Sequence, residues 1–421
     1  MVLCNTKNTG QKFTVVGCGL VGVVLAIELK RRIPGCTVTL IEKRTETDAS
    51  GGSWTIGLTG PGQEALSDNP ALLKQIQESG QTSFTLQQNI YCNGRLVNKK
   101  IKSLAKHKDS NIGAPCIIAF DRGTTLKVCL AHLREQYPNV NIFFGHKVID
   151  VDEEGSKCLV EPPLPIPINE FDILFGADGA MSFVRQNYCI EAQVHPFPQS
   201  ILILRLISKA SETPDLAPDD GMLLFMSSKA LPGLGATTKT KYSPSAKRFS
   251  NLAILFTQPF PGEDRDTLLT EVLIQRDYIN QSRSFYPETQ QELEETLKQL
   301  GVPTSVCEKL VLTENSRERV LYTVKATKYY NSSGNVAIIG NSAHATYPSL
   351  SGGFNTGLED VTCIIDCICK HNCFTKRALM EYSEQRAPVG NTLVNISSLL
   401  AYTPSFLVSS AGTRDILRFV C

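Results

Sequence analysis

Residues 12–22 read Lys-Phe-Thr-Val-Val-Gly17-Cys-Gly19-Leu-Val-Gly22, an apolar β-branched run that passes directly into a Gly-x-Gly-x-x-Gly turn and a helix-forming segment. Twenty-five residues after Gly17, a second apolar run, Thr37 to Ile41, ends on Glu42. A dinucleotide site needs this spacing: Gly17 for a tight turn, Gly19 for close approach of a pyrophosphate, Gly22 for contact between helix and strand, and an acid for ribose hydroxyls. The phosphates are expected on the free N–H groups of the helix that starts at Leu20 and Val21, where the dipole favours negative charge. The motif alone fits FAD and NAD equally. It sets an α/β chain with a Rossmann-like opening domain.

Composition narrows the functional classes. The 421 residues carry 42 basic and 41 acidic side chains, a net charge of +1, with no basic block, so a nucleic-acid partner is not expected. Fourteen cysteines without a secretory leader pattern in Met1–Gln11 are expected to be reduced thiols in the cytoplasm. Cys363, Cys367, Cys369 and Cys373 fall on an expected helix where only the i,i+4 pairs share a face, so they read as small buried hydrophobes and no metal is expected. The most apolar late segment, Leu393 to Ser409, is broken by Asn395, Ser397, Ser398, Thr403 and Pro404, which leaves peripheral membrane contact but no span.

Further along, helices are expected over Pro61–Glu78, Asp121–Tyr137, Asp266–Tyr278 and Glu288–Leu300, and strands over Phe84–Ile90, Val140–Phe144, Lys147–Val151 and 171–179. Short β-type runs at Ile201–Ile207, Met222–Met226 and Leu252–Thr257, separated by loops rich in Pro, Ser and Lys, suggest a second sheet, and a further strand is expected within Glu318–Lys325. Asn335–Gly340 then returns to the opening pattern of buried strand, turn and long helix. The expected division is a discontinuous nucleotide domain (1–75, 105–185, 330–375), an inserted mainly β substrate domain (76–104, 186–329) and a helical C-terminal segment (376–421).

Three motifs occur in one order: the glycine turn; Asp178-Gly179-Ala-Met-Ser182-Phe-Val-Arg185; and Gly340-Asn341-Ser-Ala-His344 leading to Pro348, Gly352, Gly353, Phe354, Asn355 and Gly357. The set resembles the single-component FAD-dependent aromatic hydroxylases, most closely their kynurenine 3-monooxygenase-like branch. The resemblance implies the glutathione-reductase/p-hydroxybenzoate-hydroxylase type of FAD-binding domain. It also implies a monooxygenase that uses NAD(P)H and O2 and hydroxylates a small aromatic substrate through a C4a-hydroperoxyflavin.

Site residues follow from the same resemblance. Glu42, Lys43 and Arg44 would flank the adenosine ribose, Arg122 would reach the FAD, and the Val148 backbone would hold adenine. Asp178 would lie near the pyrophosphate, with Arg185 on NADPH phosphates, or else would close a strand-ending turn. Pro348 and the backbone N–H groups of Gly353, Phe354 and Asn355 would face the flavin edge and stabilise negative charge on the reduced ring. His344 is expected to pack rather than act as a base.

Two departures are visible. Asn341 stands where the family places an Asp, and Gly352 replaces a larger residue, which would loosen the flavin edge or admit substrate. On the substrate side, Gln87-Gln88-Asn89-Ile90-Tyr91 lacks the Arg that meets the kynurenine carboxylate, and Tyr402-Thr403 stands where the family has an Asn. A substrate other than kynurenine is therefore expected. The alternatives are a FAD-dependent oxidase or dehydrogenase without oxygen insertion, and a degenerate binding module. A halogenase is disfavoured because the chain holds only Trp54. Oligomeric state has no signature in the chain.

Overall fold

The computed structural model describes residues 10–50, 55–83, 85–92, 95–103, 117–151, 157–164, 170–188, 190–196, 199–213, 222–228, 252–259, 266–277, 287, 289–299, 302–313, 317–347, 352–371 and 375–402. The opening strand Lys12–Val16 lies at the centre of a five-stranded parallel sheet, between Thr37–Glu42 and Ile173–Gly176. Asn141–Phe144 and Val336–Ile338 form its edges. Phe13, Val15, Val38, Leu40, Leu174 and Phe175 are fully buried, as expected of parallel strands covered on both faces.

The helix Leu20–Arg32 follows the glycine turn and is buried from Gly22 through Leu29. It is apolar nearly all round because it is enclosed between the sheet, Arg122–Gln136 and Gly352–Lys370. Even its terminal Arg32 is inside, donating to Asp366 at 2.5 Å. The long helix Thr375–Tyr402, with Pro388 in its interior, packs along Gly352–Lys370. An α/β fold with a parallel nucleotide-type sheet and C-terminal helices thus matches the sequence-based expectation.

A second sheet carries the middle of the chain. Gln199–Lys209, Thr267–Asp277, Leu252–Pro259 and Met222–Ser228 are successive antiparallel neighbours, and Met222–Ser228 runs parallel to Thr85–Cys92, which pairs with Arg95–Ser103. A small three-stranded sheet, Thr55–Thr59, Ile117–Asp121 and Gly80–Ser83, stands beside it.

Local expectations fail in three places. Asp266–Tyr278, expected as a helix, is the strand Thr267–Asp277, hydrogen-bonded on both sides. The strand is paired on both edges and Thr267–Glu271 are buried in succession, so that stretch shows no polar–apolar alternation and its apolar spacing imitates helical periodicity. Pro61–Glu78 is two helices, Gly60–Ala65 and Pro70–Glu78, because Pro70 starts afresh under the Asn69 cap, whose Oδ1 accepts from the Leu72 amide at 3.2 Å. The strand expected within Glu318–Lys325 divides into Arg317–Arg319 and Tyr322–Ala326, which pair with different partners.

Candidate active site

A cavity of about 520 Å³ opens at the carboxyl ends of the parallel strands. The glycine turn forms its floor. Gly17 has φ +106°, and a Cβ there would meet the Ala177 carbonyl oxygen at 2.4 Å. A Cβ on Gly22 would lie 2.1 Å from the Gly17 carbonyl oxygen. Gly19 is different: a Cβ there would make only ordinary van der Waals contact, with an Arg122 guanidinium nitrogen 3.8 Å away. No side chain caps the helix that begins at Leu20, so the first-turn N–H groups at Leu20 and Val21 face the cavity without a side-chain acceptor from the cap residue.

One wall is set by Glu42, which is 4% exposed. Its carboxylate accepts from the Cys18 amide at 3.0 Å, the Arg44 amide at 3.1 Å and Arg44 Nε at 2.8 Å. Burial acts to raise the Glu42 pKa, but the Arg44 hydrogen bonds and charge, helped by the two backbone N–H groups, outweigh it and hold the carboxyl below its ordinary value. A charged acid is therefore fixed beside the turn. Lys43 and Arg44 continue the lining. Val148 enters from the hairpin of Lys147–Val151 and Cys158–Glu161, and His146, just before that strand, donates its amide to the Glu42 carbonyl at 2.9 Å.

The second motif closes the opposite side. Asp178 Oδ1 accepts from Ser182 Oγ at 2.5 Å and Ser342 Oγ at 3.1 Å, and Oδ2 accepts from the Val184 amide at 3.2 Å. Asp178 thus lines the cavity and also organises its own turn. Arg185 is 2% exposed, and its guanidinium donates to the Ser342 carbonyl at 2.6 Å and the Ala180 carbonyl at 2.7 Å. It therefore points inward, tying the second motif to the third, and does not present itself to a nicotinamide phosphate as the resemblance implied.

Asn341, Gly353 and Phe354 come from the third motif and line the same cavity. Pro348 lies outside the described residues. The Phe354 ring stands edge-on to Phe120 at 5.7 Å. Asn355 does not line the cavity; its side chain accepts from the Thr59 amide at 2.9 Å and donates to the Gly57 carbonyl at 2.9 Å, stitching the third motif to the neighbouring strand. A Cβ on Gly352 would meet Leu393 of the long helix at 3.0 Å. Gly352 itself lines the cavity, with Leu393 packed against the side where a larger residue would project. His344, as expected, is enclosed by packing, with Nε2 2.5 Å from Asp360 Oδ2.

Thirteen of the residues singled out from sequence meet around one cavity: Gly17, Gly19, Leu20, Val21, Glu42, Lys43, Arg44, Arg122, Val148, Asp178, Asn341, Gly353 and Phe354. Sequence reasoning missed Thr55, Ile56, Met181 and Thr346, which also line it. Met181, inside the second motif, and Thr346, inside the third, carried a signal; Thr55 and Ile56 arrive on a strand with no motif of its own. Uncapped helix N–H groups, an open Gly19, a charged acid beside the turn and Arg122 nearby make a donor set suited to a dinucleotide with a pyrophosphate.

Comparison with known proteins points the same way. A profile of the FAD binding domain family matches residues 11–397. Kynurenine 3-monooxygenase of Emericella nidulans is 26% identical over 440 residues, covering 97% of this chain and 77% of that protein. The enzyme of the same name from Anopheles gambiae is 26% identical over 390 residues, covering 88% and 70%. Among solved structures, the tetrameric form of 2-methyl-3-hydroxypyridine-5-carboxylic acid oxygenase superposes with a TM-score of 0.67 at 18% identity, over 94% of this chain and 91% of that one. Pseudomonas aeruginosa PqsL in complex with 2-aminobenzoylacetate gives 0.67 at 17% identity, over 93% and 95%.

Proposed function

The chain belongs to the FAD binding domain family, among the FAD-dependent aromatic hydroxylases, and from that premise we propose that it is an NAD(P)H-dependent monooxygenase that hydroxylates a small aromatic substrate. The observation that carries this reading is the convergence of three motifs far apart in the chain on one cavity. The bound flavin supplies two-electron reduction by NAD(P)H and activation of O2.

The chain's own residues do the holding. The first-turn N–H groups at Leu20 and Val21, with Arg122 beside Gly19, would neutralise the pyrophosphate. Glu42, kept ionised by Arg44, would accept ribose hydroxyls, and the Val148 backbone would hold the adenine. At the other end, Asn341 offers a carbonyl acceptor and N–H donors to the ribityl chain, in place of a carboxylate. Gly353 and Phe354 begin the helix Gly352–Lys370, so their N–H groups lie at its positive end, suited to stabilising negative charge at the flavin edge.

The substrate would lie against the middle sheet, in the domain division expected from the sequence. The strand Thr85–Cys92, which contains Gln87–Tyr91, brings no arginine to that sheet, which favours an aromatic without the carboxylate of kynurenine. The cytoplasm is its proposed location; among the described residues no helix is long and apolar enough to cross a membrane.

The test is direct. Purified protein should be yellow, should bleach anaerobically with NADPH or NADH, and should place labelled oxygen from O2 in the product of one member of an aromatic panel that includes kynurenine. Bleaching with a product free of label would replace the proposal with a dehydrogenase or oxidase. A colourless protein that takes up no FAD would remove it.

A further inference from the structure

Glu271 lies on the middle sheet yet reaches across to the cavity wall. It stands in register with Arg205 on one neighbouring strand and Phe256 on the other. Both carboxylate oxygens are 2.9 Å from the Thr55 amide nitrogen. Thr55 and Ile56 line the cavity, so this one carboxylate sets where the strand Thr55–Thr59 begins. Arg205 Nε is 3.4 Å from Glu271 Oε1, while its other end is 3.1 Å from Asp121 Oδ2. Asp121 caps the helix Arg122–Gln136 by accepting from the Thr124 amide at 2.8 Å, and Arg122 is itself a cavity residue. A chain of contacts therefore runs from Glu271 to two separate parts of the wall.

We propose that Glu271 is a positioning residue for the flavin site: its carboxylate holds the Thr55–Ile56 wall in place, and the charge on that carboxylate governs how firmly the wall is held. The inference rests on the flavin reading of the cavity.

Chemistry supports it. Glu271 is 3% exposed, and burial pushes its pKa up to about 7, against the hydrogen bonds from Thr55 and the charge of Arg205; the charge of Asp121 adds to the rise. The groups facing it are Arg205 from the strand Gln199–Lys209, Asp121 from Ile117–Asp121 and the uncharged Thr55, with Phe256 in register on Leu252–Pro259. When ionised, Glu271 gives Thr55 a charge-assisted acceptor; when protonated, it offers a weaker neutral one and loses its charge attraction to Arg205.

The Thr55 amide donates to Glu271, so its proton resonance follows this contact without flavin. In flavin-free protein titrated over about two pH units around neutrality, the Thr55 amide resonance should pass through a single transition that Glu271→Gln abolishes. Asp121→Asn keeps a capping side chain but removes a negative neighbour, and should move the transition to lower pH. In parallel, the dissociation constant for FAD should rise about fivefold on the acid side in the wild type and stay level in Glu271→Gln.

A Thr55 amide resonance that does not move in the wild type overturns the proposal, as does an unchanged midpoint in both variants. A protein that binds no FAD yet shows the Glu271-dependent transition upholds the contact with Thr55 and removes only the flavin reading.

Discussion

His344 Nε2 and Asp360 Oδ2 lie 2.5 Å apart with neither side chain exposed. The other oxygen of Asp360 accepts from Arg386 Nε at 2.6 Å, and the Gly340 amide donates to Oδ2 at 3.1 Å. One carboxylate thus joins the turn that carries Asn341, the helix Gly352–Lys370 and the long C-terminal helix. Asp360→Asn should cost about 3 kcal/mol, because the fully buried charged acceptor shared by His344 and Arg386 becomes a neutral amide. Urea unfolding of the flavin-free protein measures it. Burial acts to raise the Asp360 pKa, but His344 and Arg386 outweigh it and hold it below the ordinary value. Its stabilisation is therefore present above the ordinary carboxylate range and is lost as pH falls through the lower folded value, and the variant should lack that acid-side loss.

Gly19→Ala and Gly22→Ala should fail in different ways. The first places a methyl group on the cavity lining, in ordinary contact with Arg122, so the protein should fold normally and lose most of its FAD affinity. In the second, the methyl group is driven to 2.1 Å from the Gly17 carbonyl oxygen, so the opening helix must shift and the thermal midpoint should drop. Circular dichroism beside FAD titration separates them. Equal behaviour of the two would contradict the separate roles.

Asn341→Asp should strengthen FAD retention. A carboxylate makes stronger hydrogen bonds to hydroxyls than an amide does, by about 1 kcal/mol, or roughly fivefold in affinity. Quenching of flavin fluorescence reads the change, and an unaltered dissociation constant would remove Asn341 from the ribityl contact.

Arg185→Lys should act on stability rather than on nicotinamide use. Lysine cannot span the Ser342 and Ala180 carbonyls together, so about 2 kcal/mol should be lost. The KM for NADPH should stay within a factor of about two, since the guanidinium faces inward. A large rise in that KM at unchanged stability would refute the inward role.

Much of the cavity was legible because its chemistry is local in sequence. Gly17, Gly19 and Gly22 announce themselves by spacing, and Glu42 by its place at the end of the next strand. The fate of Arg185 was not legible: a charged residue near a binding motif reads as a ligand contact, and only packing shows that its partners are backbone carbonyls. Glu271 was hidden twice. It lies on a strand whose pattern imitates a helix, and its partners Thr55, Asp121 and Arg205 are brought together by pairings that no local pattern encodes. The neighbour of Gly352 was hidden for a related reason, since Leu393 is forty-one residues later in the chain.

The parallel sheet draws its edge strand Val336–Ile338 from late in the chain, beside a strand ending at Gly176. During synthesis the glycine turn emerges more than three hundred residues before Asn341 and Gly353 can arrive opposite it. Nascent chains halted before that point would hold half a nucleotide cleft, with Ile173–Gly176 exposing an unpaired edge, a state open to misassociation or chaperone capture. Acquisition of the cofactor is thereby deferred until the strand Val336–Ile338 and the turn beyond it have been made.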